Sequence, residues 1–472
     1  SYSPSKTHKV ILALCVCALV ALGWMLHKDY GISWDEPEQR LSGLVTLKYI
    51  GEYFDIAAIK NSEALAEYHQ FHLNSYRDRV FGVAFETPLV FLERVFHLSD
   101  EQAIYFFRHF VTFLTYIAGL CAIFKMAERR FSSWKMGFLA ALFFLLTPRL
   151  FAESFYNSKD IVFLAAFAIA MNTGISFILK PSIYVAVIHG IATAFAIDIR
   201  IMAIMIPILT FAFFITRIFY GQILWRRGIA FLVLYTVTTI ICVVLFWPWL
   251  WNSPASNFAE ALLSFSRWVR SDIMMLYLGD WIRSTDLPWH YVPVWIAITT
   301  PPIFLVLGVF GVVKTLHSML QEKWLLCQSE VGLQNCFFLT VFLGPILAVI
   351  ILHSVIYDGW RHLYFIYPAF VLLCMVGWSA IWSCVKNHVI LKTILGLSLI
   401  CALLNIFMWM YQAHPLQNTY FNFLVKSPWK DQFDLDYWGL ANRQALEKIL
   451  ENDSRPKIYI RAGSNTPLYH SL

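Results

Sequence analysis

The apolar run at 10–26, VILALCVCALVALGWML, and the heptad that follows it, Gly31-Ile32-Ser33-Trp34-Asp35-Glu36-Pro37, decide the fold class. The run is long enough to cross a bilayer, so Asp35 and Glu36 lie where the chain surfaces. A lysine would end a membrane helix equally well, and two adjacent acids ask for another reason. A carboxylate held at a membrane face can take a proton from a bound hydroxyl or amine. The other reading is an acidic pair capping a surface helix that begins at Pro37. The stretch by itself leaves both open.

Outward from this stretch the chain stays apolar. Hydrophobic residues make up 59% of it, charged residues 14%, and the mean hydropathy is +0.60. Soluble domains carry roughly 25% charged residues, so an all-α polytopic membrane protein is expected. Apolar runs near 10–26, 103–124, 136–148, 161–179, 183–198, 201–216, 229–247, 292–313, 334–352, 363–382 and 389–410 predict about eleven spans. The first lacks a small-residue cleavage site and reads as a retained helix. Of the nine cysteines, Cys327 and Cys384 fall in inner loops and the rest in apolar runs. Neither a disulfide framework nor a zinc site is expected, and no CxxC pair exists.

Basic residues orient the spans. With Lys6 and Lys9 inside, the alternate short loops carry Lys125, Arg129, Arg130 and Lys135, then Lys180, then Arg217, Arg226 and Arg227, then Lys314 and Lys323, then Lys386 and Lys392. That is the positive-inside pattern of a multi-pass protein of the cytoplasmic membrane. The outer face then holds segments 27–102 and 248–291 and a C-terminal tail. The division expected is a membrane module over 1–410, including the loops 27–102 and 248–291, and an extracytoplasmic segment over 411–472 that reads as a small soluble appendage or the start of a soluble domain.

Residues 38–58 and 62–76 have the period of surface-lying helices. The stretch 80–96, VFGVAFETPLVFLERVF, is interrupted by Glu86 and Pro88 and reads as a partly embedded helix; the alternative, a further span, would flip everything downstream and break the charge pattern. Trp247-Pro248-Trp249-Leu250-Trp251 is read as an interfacial anchor, ahead of a wall of a sugar or lipid site. Lys457–Ile460 is strand-like.

Four polar clusters fall on the outer face. One is Asp35-Glu36. A second is PRLFAESFYNSKD at 148–160, where Arg149, Glu153, Asn157, Lys159 and Asp160 exceed what a helix cap needs. A third is Asp198 with Arg200, read as an ion pair. The fourth is Tyr357-Asp358-Gly359-Trp360-Arg361-His362. Arg361 can grip a phosphate with two N–H groups or merely snorkel, and His362 is a second donor or a satisfied polar residue. An acid beside a basic clamp suggests a lipid-phosphate substrate. No GxGxxG or GxxxxGK loop cradles a nucleotide, and a sugar used outside must arrive on a lipid.

The ordered set resembles the membrane-embedded glycosyltransferases of the GT-C superfamily. The branch is that of the protein O-mannosyltransferases, the lipid A aminoarabinose transferases and bacterial phospholipid-carrier-dependent glycosyltransferases. The resemblance rests on Asp35-Glu36, Arg108, PRLFAESFYNSKD at 148–160, Arg200 and DGWRHLYFIYP at 358–368. LPWHYVPVWIAITTP at 287–301, HPLQNTYFN at 414–422 and DYWGL at 436–440 add to it. It implies a polyprenyl-phosphate sugar donor and inverting transfer outside the cytoplasmic membrane. Asp35 would activate the acceptor, Asp160 would be a second acid, and basic residues near Arg361 would meet the donor phosphate. Glu36, Arg149, Asn157, Lys159, Arg200, Arg361 and His362 are the candidate substrate-binding residues.

The large outer insertion of the protein mannosyltransferases has no counterpart here. A glycan or lipid acceptor is therefore favoured over a protein. No nucleic acid is expected as partner. A divalent ion on Asp35, Glu36 and Asp160 stays open, although no ligand spacing asks for one. Two rivals differ in class. A flippase or transporter would want midplane charges and an internal repeat. An assembly subunit would not need four polar clusters on one face.

Overall fold

The computed structural model describes residues 6–60, 68, 70–266, 272–426 and 428–461. Among these, nine helices are long and apolar enough to cross a membrane. They include α1 (Lys6–Leu26), α5 (Glu101–Phe131), α8 (Asp160–Leu179), α11 (Trp225–Phe246), α14 (Pro302–Glu322), α15 (Glu330–Ile351) and α17 (Val389–Gln412). The others are α10 (Met205–Phe219), entered by a 3₁₀ turn from Ile201, and α16 (Tyr367–Cys384), entered by a 3₁₀ turn from Arg361. Of the remaining expected spans, α9 (Ile183–Ile199) has 17 residues, at the lower limit for a crossing.

One further expected span is broken, and one that supplies a crossing helix is cut short by a break. The run at 136–148 yields α6 (Trp134–Leu145) and, past Pro148, α7 (Pro148–Tyr156), bent 72° away from it. The run at 292–313 divides into α13 (Tyr291–Thr299) and α14 at Pro301-Pro302. The two prolines have no N–H with which to bond Ala297 and Ile298. Asn422 of the tail supplies both bonds, its backbone N–H to Ile298 O at 2.9 Å and its side-chain amide to Ala297 O at 2.7 Å. The same amide donates to Thr300 O. Irregular backbone at membrane depth survives only where protein satisfies it, so this break is also where the tail attaches.

Helices α2 (Asp35–Tyr53), α3 (Ala57–Lys60) and α4 (Glu86–Val95) belong to the first segment expected outside. Leu44 and Leu47 of α2 close on Val90 of α4 in a small core of their own. With 10 residues α4 is too short to cross. It is held instead by Arg108 of α5, buried between Glu86 and Glu93, with Arg40 also on Glu93. Part of the 62–76 helix expectation lies outside the described residues.

In the second segment expected outside, α12 (Pro254–Ser266) precedes a hairpin that the all-α expectation missed. Strand β1 (Met274–Tyr277) pairs antiparallel with β2 (Asp280–Arg283). Leu278 and Gly279 both have positive φ at its tip, as a tight two-residue turn requires. Trp247 and Trp249 are buried rather than anchored at the interface. Trp251 alone packs with Tyr49, Tyr53 and Phe54 at the surface. Lys457–Ile460 is not a strand.

The bundle's two ends differ in chemistry. At one, Arg129 reaches Asn172, Arg130 reaches Asn335, Arg217 reaches Leu179 O, and His8 stacks on Trp134. The expected basic loops gather there. At the other end are the acidic and aromatic segments and the tail. Phe421, Val425, Phe433, Trp438 and Leu440 of the tail belong to the same apolar core as the helices. Helix α18 (Ala441–Asn452) closes the described tail, and its Arg443 donates to Lys28 O and Tyr30 O.

Candidate functional site

The polar clusters meet at one end of the bundle, opposite the basic one, around one guanidinium. Arg361 opens the 3₁₀ turn before α16, following a short non-helical stretch in which Asp358 and Gly359 have positive φ. Its Nη1 donates to Asp160 Oδ2 at 3.1 Å and to Asp35 Oδ2 at 3.4 Å, and its Nη2 to Asp358 Oδ2 at 3.2 Å. The Arg361 side chain is 5% exposed and that of Asp160 1%, whereas that of Asp35 is 41% exposed. The rings of Tyr357 and Trp438 lie 5.0 and 4.8 Å from the guanidinium carbon.

Asp160 is the hub. It begins α8, where the helix dipole favours a negative charge. Asn157 caps that helix, its Oδ1 accepting the Asp160 N–H at 2.8 Å while its amide donates to Asp160 Oδ2 at 3.1 Å. Arg200 bonds Asp160 Oδ1. Both oxygens of this buried carboxylate are thus held by side chains from three other points in the chain. Such a pairing is what makes a buried charge tolerable.

The expected Asp198–Arg200 ion pair does not form. Asp198 ends α9 with its Oδ1 on the Ala84 N–H at 2.6 Å. Arg200 lies just past the helix in extended conformation (φ −147°, ψ 125°), so its side chain leaves in another direction and reaches Asp160.

Lys159 stands half-buried with its ammonium 3.3 Å above the ring of Phe81. Burial, together with the nearby Arg200 guanidinium, lowers its pKa to about 7, opposed by Asp35 and Asp160. Burial raises Asp358 to about 6, opposed by Arg361. His362 borders the same group of charges, edge-on to Tyr357 at 4.7 Å.

Two expected site residues turn elsewhere. Glu36 is buried, with Oε1 2.9 Å from His109 Nε2 and Oε2 accepting the Ser33 N–H at 2.7 Å. The latter is the reach-back bond of a helix start. Arg149 donates to Tyr420 O at 3.1 Å between the rings of Trp295 and Phe421.

Three residues that sequence reasoning did not assign also join the site. Asp358 completes the carboxylates on Arg361. Tyr364 and Tyr437 both donate to Glu153 Oε1, at 2.8 and 3.3 Å, and Glu153 Oε2 accepts from Asn157 at 2.7 Å. The DYWGL stretch was the visible signal for Tyr437, but nothing in it told which partner the tyrosine meets.

Beside Asp160, Nε of Arg361 and Nε of Arg200 have no protein partner, and neither does Nδ1 of His362, which donates or accepts according to its tautomer. Unpaired buried donors are costly, and two guanidinium N–H groups on one carboxylate's partners suit an anion. Among the described residues no three His, Cys, Asp or Glu side chains are grouped to hold a metal ion. Arg361 itself supplies the positive charge among Asp35, Asp160 and Asp358.

Compared with family models and with curated proteins, the chain matches none. Among solved structures it is similar to ArnT from Cupriavidus metallidurans bound to undecaprenyl phosphate, at 16% identity and a TM-score of 0.48. The likeness covers 79% of this chain and 61% of that one, so the chain spans less than two thirds of its length.

Proposed function

We propose that this chain is a GT-C-type membrane glycosyltransferase that moves a sugar from a polyprenyl-phosphate donor to a glycan, lipid or protein acceptor, with inversion, on the outer face of the cytoplasmic membrane. The observation that carries the reading is the inequality of the three carboxylates on Arg361. Asp160 is buried and doubly held by arginines, while Asp35 touches Arg361 only at 3.4 Å and keeps 41% of its side chain exposed. A carboxylate that is anchored yet open can meet an incoming hydroxyl.

In the transfer, Asp35 takes the acceptor hydroxyl's proton as that oxygen bonds the anomeric carbon. The bond from that carbon to the donor phosphate oxygen breaks on the opposite face. Its electron pair leaves with polyprenyl phosphate. Charge grows on the leaving oxygen, so Arg361 and the other unpaired donors contribute most in the transition state.

A cavity of about 490 Å³ supports an amphiphilic substrate. Val349, Ile350, His353 and Ser354 at the end of α15 form one side, and the stretch from Ser284 to Val292 forms the other. Tyr291 in its wall accepts the Gly359 N–H, two residues from Arg361. The gathering of basic groups at the opposite end supports an N-terminus inside and a tail outside.

The test is single-turnover transfer by the purified chain in vesicles, supplied with a polyprenyl-phosphate sugar. Free polyprenyl phosphate should appear one for one with glycosylated acceptor. Lipid crossing the bilayer with no bond broken would replace the transferase with a flippase.

A further inference from the structure

We infer that the C-terminal turn Asp436–Leu440 is a working part of the transfer site and that Trp438 in it is a positioning residue for Arg361. The inference rests on the function proposed above. The guanidinium of Arg361 lies between two rings, Tyr357 from its own loop and Trp438 from the tail, at 5.0 and 4.8 Å. Trp438 is itself 2% exposed and packs on Tyr156 and Tyr437. Arg361 is the group that Asp35, Asp160 and Asp358 share, so whatever fixes its plane fixes the spacing of all three.

The turn is built to hold this position against the loop that carries Asp35. Gly439 has φ +74° and lies so near Trp34 that an added Cβ would come within 3.1 Å of its indole nitrogen. A Cβ on Gly31 would meet Leu440 O at 3.0 Å. Asp436 accepts from Asn418 and from the Ala441 N–H, which closes the turn. Tyr437 provides a second connection to the site. Its hydroxyl donates to Glu153, which holds Asn157, which in turn caps and bonds Asp160. One turn of the tail therefore acts on both partners of the Arg361–Asp160 pair.

A ring face attracts a guanidinium beyond simple packing. Leucine at 438 would fill much of the volume without that face, and phenylalanine would keep it. The full chain carrying Trp438→Leu, Trp438→Phe or Trp438→Ala is compared with wild type by three readouts. These are amide exchange over 358–366, binding of undecaprenyl phosphate in nanodiscs, and transfer.

Trp438→Leu is expected to speed exchange in that stretch and to weaken undecaprenyl phosphate binding by roughly 5- to 30-fold, the range a desolvated cation–π contact is worth. Trp438→Phe should stay within about 3-fold of wild type at a similar melting temperature. Leucine and phenylalanine variants that behave alike, whether both normal or both impaired, would overturn the positioning role. A Trp438→Ala protein that fails to fold leaves that comparison intact. If wild type transfers no sugar, the proposed function fails, while the exchange readout still decides the role of Trp438.

Discussion

Replacing Asp35 by asparagine separates catalysis from folding, because the structure sets the two costs far apart. The substitution is nearly isosteric, so it opens no cavity. The Asp35 side chain is 41% exposed and its contact with Arg361, at 3.4 Å, is the longest of that arginine's three carboxylate contacts. Losing a half-exposed pair of this kind costs about 0–1 kcal/mol of stability. Losing a general base costs at least about 100-fold in rate, which is about 2.7 kcal/mol of barrier.

Glu36→Gln should show the opposite balance. Glu36 is buried and spent on Ser33 and His109. Disturbing it should cost about 1–3 kcal/mol of stability and leave the turnover of folded protein near wild type. The assay is single-turnover transfer from a polyprenyl-phosphate sugar, with thermal unfolding measured on the same preparations. Wild-type turnover in Asp35→Asn beside a dead, folded Glu36→Gln would reverse the assignment. Wild-type turnover in both would end the general-base reading.

Asp160→Asn should destabilise the protein by about 3–5 kcal/mol, because it leaves the buried Arg361 and the half-buried Arg200 beside a neutral amide; an unchanged unfolding midpoint would show that water reaches this pair. If the proposed function holds, Arg361→Ala should weaken polyprenyl phosphate binding by about 2–5 kcal/mol and Arg361→Lys by less, since lysine lacks the planar fork; normal binding to folded Arg361→Ala would remove the arginine from the phosphate role. Lys159 binds its proton only below about 7 when folded but up to its ordinary 10.5 when unfolded. Stability should therefore rise with pH between those values, a slope that Lys159→Met should remove and that melting curves across the range would detect. A cysteine placed in the tail should react with an impermeant reagent on intact cells, and labelling only after permeabilisation would invert the topology.

Most of the membrane architecture was legible because a span announces itself by composition. Eight of the eleven expected runs are whole helices long enough to cross, α14 comes from part of a ninth, and Glu86 and Pro88 marked the short helix α4 as something other than a span. What was hidden depends on direction rather than composition. Asp198 and Arg200 are two residues apart and looked like a pair, yet a helix end falls between them and sends them to different partners. Asp35 and Glu36 are adjacent, and the first turn of α2 points one to Arg361 and the other to His109. The three tryptophans at 247–251 read as an anchor because aromatic residues at a span end usually are one. Burial of Trp247 and Trp249 comes from the outer layer folding over them: the Trp247 indole donates to Arg79 O, and the Arg79 guanidinium lies over the Trp249 ring. The hairpin at 274–283 carries alternation too short to stand out beside helical runs.

The candidate site sits where the apolar runs break, and membrane physics explains why these coincide. A continuous span satisfies its own backbone and offers the membrane only side chains. Each break frees backbone groups that need partners from elsewhere in the protein. The turn at Pro148 produces α7 and leads to Asn157 and Asp160. The end of α9 releases Arg200. The non-helical stretch from 353 to 360 leads into Arg361. The Pro301-Pro302 break draws in Asn422, and with it the tail that carries Tyr437 and Trp438. Two breaks within expected runs and two junctions between them therefore do two things at once. They admit the polar side chains that an unbroken bundle could not hold at that depth, and they bind the tail that keeps those side chains in register. A tail fixed by the backbone of α13 and by the loop before α2 is hard to regard as an appendage. Its residues share one core and one polar network with the helices, so the chemistry proposed for Asp35 depends on chain segments hundreds of residues apart meeting at these breaks.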